Sequence, residues 1–385
     1  MKANRSLVVC GVIAVLLAGG CQASRAGTEE VVVGADLELS GPNANIGLVY
    51  AQALQLRVDQ INRNGDLGNR KLTLLKRDNR SDPATSAANI SAMAADPSIK
   101  ALITGACGAC IVGAAKAVNE ARIPTIALAL ATNVAAPVAD RKYIFKLAPN
   151  ADDDATVLVS ELVTGGAKKV ALIRSDDQFG IDASDALTSK FGRAGLTKLA
   201  SEKVAADGSD VAAVADRVAK TKPDAVVILA YSPAAEHLAK ALRAEDFTGR
   251  LMFGGGAANN LFLAGDTAAA VDGASMVFTP TLVSDDIIAT SPAKSNRVAW
   301  FREYLSTYGT YAAYASFAAD AVGLVVEAIS QTNNTSRDVL RTSIETARLD
   351  GLSGPIRLTP DNHSGLMPQA VAVLVAANGR WQLAS

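Results

Sequence analysis

The chain reads as an α/β protein made of two doubly wound parallel-sheet lobes, and three observations lead to that reading. Its 385 residues exceed the size of a usual single core. Apolar runs rich in valine and isoleucine alternate with longer alanine-rich stretches of helical spacing, the pattern of parallel strands covered by helices on both faces. This alternation occurs twice, before and after about residue 148. Composition agrees, with 49% apolar and 5% aromatic residues and no low-complexity block beyond a short polar segment near the start.

The opening MKANRSLVVCGVIAVLLAGGC has Lys2 and Arg5, an apolar run from Leu7 to Leu17, and small residues before Cys21. It reads as a signal peptide over residues 1–20, since the run is too short for a membrane span of roughly 20 residues. Leu17-Ala18-Gly19-Gly20-Cys21 resembles the lipobox of bacterial lipoproteins, with the large aliphatic residue four places before the cysteine instead of three. The resemblance implies that Cys21 is the lipid-modified first residue of an extracytoplasmic protein anchored to the cell membrane; cleavage near Ala23 or Ala26 with free secretion is the alternative. Residues 21–30 then form a polar tether.

The first set of strands is VVVGADLEL, KLTLLKRD, KALITG and IPTIAL, with helices expected over Val49 to Asn64, Ala84 to Ala95 and Ile111 to Ala121. The second set is KKVALIRSD, LTKLASEKV, PDAVVILAY and GRLMFGG, with helices over Asp152 to Thr164, Ile181 to Ala194, Gly208 to Ala219 and Ala234 to Arg243.

Of four cysteines, Cys10 leaves with the leader and Cys21 takes the lipid, so only Cys107 and Cys110 remain in the folded body. In an oxidising compartment two nearby thiols tend to pair. They form either a structural disulfide or two small apolar thiols lining a pocket. A zinc site needs about four ligands, and the only histidines, His237 and His363, have no partner at metal-ligand spacing. No metal and no cofactor is expected. The formal net charge of −1 and scattered Lys and Arg exclude a nucleic-acid surface. No G-x-S-x-G elbow, zinc-binding helix or Walker loop is present, so the chain does not read as an enzyme. The best enzymatic candidate is the Cys107-Gly108-Ala109-Cys110 segment as a thiol–disulfide centre, because a helix N-terminus lowers a thiol pKa. This segment joins the strand ALIT to the helix IVGAAKAVNEA, and ligands of open parallel sheets sit at such junctions.

Taken together, GADLELSGPNANIGLVYAQALQLRVDQINRNGDLGNRKLTLLKRDNRSDPATSAANI resembles the start of type I periplasmic binding proteins of the branched-chain amino acid and amide group. The matching features are Ser40-Gly41-Pro42, Gly47, Ile61-Asn62, Gly65, Asp78-Asn79 and Asp82-Pro83. IPTIALALAT, KVALIRSDDQFG, PDAVVILAYSPAAEHLAKALR, YAAYASFAADAVGLVVEAI and LDGLSGPIRLTPDNHSG follow in the family's order, so the resemblance covers about residues 31–383. It implies a hinge of three crossovers, with residues 30–147 and 279–350 in one lobe and 148–278 and 351–385 in the other. It also implies a monomer that captures a small polar organic ligand, such as an amino acid derivative, amide or organic acid, for the permease and ATPase subunits of an ABC importer. A ligand-sensing module for a membrane receptor keeps the same fold.

Carried over residue by residue, the resemblance puts ligand contacts on Cys107, Gly108 and Ala109, on Leu130 and Thr132, and on Phe179, Tyr231, Gly255 and Ile46. Gly108 stands where amino acid binders commonly have a serine, and Gly255 lies in a loop where they often have an acid. Ile46, in the loop after Ser40-Gly41-Pro42, replaces a bulkier residue. These departures argue against an ordinary α-amino acid, whose ammonium would lack its countercharge. Plainer readings stand beside these: Phe179 as core, Thr132 as the cap of a helix near Val134, Asp176 and Asp177 as solvated loop charges, His237 on a helix surface and His363 as a turn residue.

Overall fold

The structure is a computed structural model that describes residues 29–205, 207–258, 263 and 265–384. The expected signal peptide, Cys10, Cys21 and the tether up to residue 28 lie outside the described residues. No helix among the described residues is long and apolar enough to cross a membrane.

The first sheet carries β1 (Glu29–Leu37), β2 (Arg70–Asp78), β3 (Ile99–Thr104), β4 (Thr125–Ala127) and β5 (Ile144–Lys146), all parallel, in the order β2-β1-β3-β4-β5. Its crossover helices are α1 (Ala44–Asn64), α2 (Pro83–Ala95) and α3 (Gly108–Glu120). Central β3 is buried almost throughout, whereas edge β2, with its sequence RKLTLLKRD, is largely part-exposed; charge along an edge strand discourages further pairing. Local chemistry sets the helix ends. Asp82 caps α2 by accepting from the Thr85 amide, with Pro83 in the first turn. Gly65 ends α1 in the left-handed region, φ 71°, where glycine carries no Cβ penalty.

The second lobe carries α4 (Ala151–Thr164), β6 (Lys169–Ser175), α5 (Gln178–Ala194), β7 (Thr197–Val204), α6 (Val211–Ala219), β8 (Ala225–Leu229), α7 (Ala234–Ala244), β9 (Arg250–Phe253), α8 (Thr267–Val271) and β10 (Ser275–Phe278). The chain then returns to the first lobe as α9 (Pro292–Tyr308), α10 (Ala315–Thr332), which packs on α1, and α11 (Arg337–Glu345). A small ribbon of β11 (Arg348–Asp350) and β12 (Pro355–Arg357) follows, and the chain ends in β13 (Ala372–Ala377) and β14 (Arg380–Leu383). The second sheet has the order β14-β13-β10-β9-β8-β6-β7. Here β13 runs antiparallel to β10, and β14 antiparallel to β13, so this lobe is parallel with an antiparallel edge hairpin.

Three connections join the lobes: residues 147–150, 279–291 and 358–371. The third begins later than residue 351, because β12 pairs with β11 before the chain leaves. The first and third are laced together where Lys146 N donates to His363 O at 2.8 Å and Gly365 N donates to Lys146 O at 2.8 Å. His363 is therefore a buried hinge residue, not a turn residue: its Nδ1 lies 2.9 Å from Ile144 O and its Nε2 lies 3.2 Å from Glu345 Oε1.

Candidate functional site

The carboxyl ends of the two sheets face each other across a cleft, as expected for ligand sites in open parallel sheets. Between them lies a cavity of about 490 Å³. Cys107, Gly108 and Ala109 line it from the first lobe, together with Pro42, Asn43 and Ser81. Phe179 and Tyr231 line it from the second lobe, with Ser175, Asp177, Gln178 and Ser232. The two aromatic rings pack at a centroid distance of 4.9 Å with their planes inclined by 44°.

The first-lobe wall is built on a buried acid. Glu38, fully buried at the end of β1, accepts from the amides of Ala106 and Cys107, both at 3.0 Å, and from Asn79 Nδ2 at 3.2 Å. Burial pushes its carboxyl above the usual range, and the two amides and Asn79 partly offset this. A Cβ on Gly105 would sit 2.1 Å from Glu38 Oε2, so the approach of acid to loop needs glycine there. The loop then turns into α3, where Cys107 and Cys110 are joined by a disulfide with Cα atoms 5.2 Å apart. The helix starts at Gly108, three residues before the apolar periodicity at Ile111, because its first turn consists of small residues. The first-turn amides of Gly108 and Ala109 have no carbonyl of the helix to pair with, and both residues line the cavity. A Cβ at position 108 would lie 2.9 Å from the Ala131 Cβ, so a serine there requires its neighbours to yield.

On the second-lobe wall Asp177 is not a free loop charge. It caps α5, accepting from Gly180 N at 2.8 Å, and also accepts from Ser175 Oγ at 2.8 Å. Asp176 pairs with Lys203 at 2.9 Å and Arg174 at 3.5 Å, and the Lys203 hydrogen bond is the main cause holding its carboxyl below the usual range. The Tyr231 phenol is pushed well above its usual pKa, first by burial and then by Asp177. None of the described residues lining the cavity is a lysine or arginine.

Five of the nine expected contact residues, Cys107, Gly108, Ala109, Phe179 and Tyr231, line this cavity, whereas Ile46, Leu130, Thr132 and Gly255 do not. Ile46 is buried within α1, because that helix begins at Ala44 and not at Val49. Leu130 packs into the second-lobe core with Phe179. Thr132 opens a short 3-10 turn instead of capping a helix. Its amide crosses the cleft to Asp182 Oδ2 at 2.7 Å, and its side of the loop lines a neighbouring cavity with Asn150, Arg357 and Asn362. Gly255 sits one layer behind the wall, its carbonyl accepting from Tyr314 Oη at 2.5 Å. A Cβ there would come 3.0 Å from the Phe278 ring, and one on Gly256 would come 2.7 Å from Phe179. Gly256 therefore seats Phe179, and a side chain at Gly255 requires the Phe278 ring to yield.

Sequence reasoning missed Asn43, Ser81, Asp177, Gln178 and Ser232. All five stand at or beside helix starts, and Asp177 is three residues before Gly180 in a polar turn, so a search for capping residues would have found it. Tyr50 and Tyr314 do not line the cavity; they are buried and pack edge to face at 6.2 Å, with Tyr50 Oη donating to Leu128 O at 3.2 Å.

Comparison with known proteins gives a consistent result. A family model described as "Periplasmic binding protein" matches residues 30–380. The chain is similar to an amino acid binding protein of Pseudomonas aeruginosa, 23% identical over 251 residues that make up 65% of this chain and 67% of that protein. It is similar in structure to an extracellular ligand-binding receptor from Rhodopseudomonas palustris HaA2, with a TM-score of 0.84 and 25% identity over 92% of this chain and 99% of the other. A leucine binding protein from Thermotoga maritima MSB8 shares the fold, with a TM-score of 0.79 and 21% identity over 92% of this chain and 98% of the other.

Proposed function

The chain belongs to the periplasmic binding protein family, and from that premise we propose that it is the substrate-binding lipoprotein of an ABC importer, held to the membrane through Cys21. It captures a small polar organic molecule between its lobes and delivers it to permease and ATPase subunits. The observation that carries this reading is the cavity of about 490 Å³ whose walls come from both lobes, Cys107 to Ala109 on one side and the Phe179–Tyr231 pair on the other. Concave sites with apolar walls and a few directed polar groups suit small ligands.

The chemistry of the walls narrows the class. The amides of Gly108 and Ala109 at the start of α3 favour a carboxylate or carbonyl oxygen. The Phe179 and Tyr231 rings favour an apolar or aromatic body. The acids nearest to hand are committed, Asp177 to Gly180 N and Ser175 Oγ and Asp176 to Lys203, so an α-ammonium finds little countercharge. The ligand is thus an organic acid, an amide or an amino acid derivative with a masked amine. The amino-acid-related names of two of the similar proteins support a ligand of that size.

A thermal-shift screen over amino acids, amides and aliphatic and aromatic acids tests the reading. A ligand at about 100 times its Kd stabilises the protein by roughly 2.7 kcal/mol, and hits are expected among acids and amides. Tight binding of free leucine or valine overturns the assigned class. Mass spectrometry of the processed N-terminus tests the anchor: diacylglycerol on Cys21 is expected, and an unmodified start at Ser24 or beyond contradicts it.

A further inference from the structure

Two of the residues expected at the ligand, Leu130 and Thr132, join the lobes to each other. Both belong to the first-lobe loop after β4. Leu130 is 5% exposed and packs into the second-lobe apolar cluster that holds Phe179. Two places further on, Thr132 N donates across the cleft to Asp182 Oδ2 on α5 at 2.7 Å. The other oxygen of Asp182 accepts at 2.6 Å from Gln178 Nε2, one turn earlier on the same helix, so both oxygens are engaged and the carboxylate is held toward Thr132. A second bond crosses the cleft from α1, where Asn45 Nδ2 donates to Ser232 O at 3.0 Å.

Asn45, Leu130, Thr132 and Asp182 do not line the cavity between the lobes, whereas Gln178 and Ser232 do. Each bridge is therefore made by groups of the chain itself and ends beside a residue of the cavity wall. When the lobes part, Leu130 returns to water and the two hydrogen bonds are exchanged for bonds to water. The hydrogen bonds are partly exposed and contribute modestly, while burial of a leucine side chain shifts such an equilibrium by about tenfold or more. We propose that the Leu130 to Thr132 loop, Asp182 and Asn45 form a latch that holds the lobes closed over the cavity before any ligand arrives. They are positioning residues: the latch sets the Phe179–Tyr231 wall against the Cys107 to Ala109 loop, and a ligand enters through brief openings. This role rests on the capture function proposed above, yet closure is a property of the chain and is measured without a ligand, so the two fail separately.

The test uses the whole protein, unfolded in denaturant, dialysed free of small molecules and refolded. Spin labels are placed through Lys71→Cys and Lys198→Cys, exposed positions on β2 and β7 in opposite lobes, and double electron–electron resonance reads the distance between them. The expected result in this otherwise native background is one predominant distance, matching the separation of these positions in the structure with the lobes bridged. Asp182→Ala and Asn45→Ala together are expected to raise a longer-distance population by about fivefold or more, as two hydrogen bonds are lost. Leu130→Ala is expected to raise it by about tenfold, with circular dichroism unchanged. If Leu130→Ala does not fold, the Asp182 and Asn45 variant carries the test, since both residues are half-exposed. A predominantly longer distance in the native background, or a distribution unchanged in the folded variants, overturns the proposal.

Discussion

Glu38 is a buried carboxylate that serves as an organiser of the binding loop, and its surroundings show how. Its two oxygens are held by the Ala106 and Cys107 amides and by Asn79, which also donates to Asp36 Oδ2 at 3.0 Å. Neighbouring Asp36 accepts from Ser86 Oγ at 2.5 Å and Asn89 Nδ2 at 2.9 Å. This network positions the strand-to-helix turn from below, while the cavity lies above it. Because a Cβ on Gly105 would stand 2.1 Å from Glu38 Oε2, Gly105→Ala is expected to destabilise the protein by about 1–3 kcal/mol, the usual range for overpacking. Urea denaturation measures it, and a midpoint equal to that of the native protein contradicts the role given to Glu38. The same alanine is expected to weaken ligand binding, since it displaces the amides of α3.

Among the elements, helix starts carry the site. The N-termini of α3 and α5 flank the cavity from opposite lobes, and Asp177 fixes the second of them. Asp177→Ala is expected to cost about 1 kcal/mol of stability, typical of a lost N-cap, together with a fall in ligand affinity as Phe179 loses its anchored turn. Equal stability in thermal denaturation contradicts this. How much of this was legible in the sequence follows from element length. Long runs such as AVVIL in β8 and the helix from Ala234 declared themselves by periodicity. The three-residue strands β4, β5, β11 and β12 are too short to show a period, and β4 was noticed only inside a longer apolar run. The hairpin of β13 and β14 turns on Asn378-Gly379, both at positive φ, and that dipeptide was a readable turn signal. Within the site, small residues at a strand-to-helix junction pointed to Cys107 through Ala109. Thr132 and Gly255 were misplaced because side-chain direction in a 3-10 turn depends on contacts across the cleft, which no local pattern encodes.

At the scale of the molecule, ionisable groups buried near the crossovers couple the fold to pH. Lys146 is fully buried beside the first crossover, donating to Ala148 O at 2.9 Å, Pro149 O at 2.5 Å and Asn150 Oδ1 at 3.0 Å. Burial lowers its pKa to about 8, with Asp154 the leading opposing influence. Burial raises Asp154 to about 7, offset in part by Lys146. Between the ordinary aspartate value of 3.8 and about 7, the folded state holds a proton that the unfolded state has released, so stability from this group falls as pH rises. Between about 8 and 10.5 the unfolded lysine keeps a proton that the folded one has lost, so stability from Lys146 rises with pH. Asp154→Asn is expected to flatten the decline between pH 5 and 7 in urea midpoints, and an unchanged slope contradicts the assignment.

Capture of an unaltered small molecule between the two walls of the cleft is the function proposed for this protein. The most direct measurement is calorimetric titration of the best ligand from the screen into the native protein and into Phe179→Ala and Tyr231→Ala, with the recovered ligand examined by NMR. The account predicts one site per chain, affinity reduced by about tenfold or more in each variant as a buried aromatic contact is lost, and a ligand recovered unchanged. Affinity indifferent to both substitutions, or a ligand returned as a different compound, would contradict it.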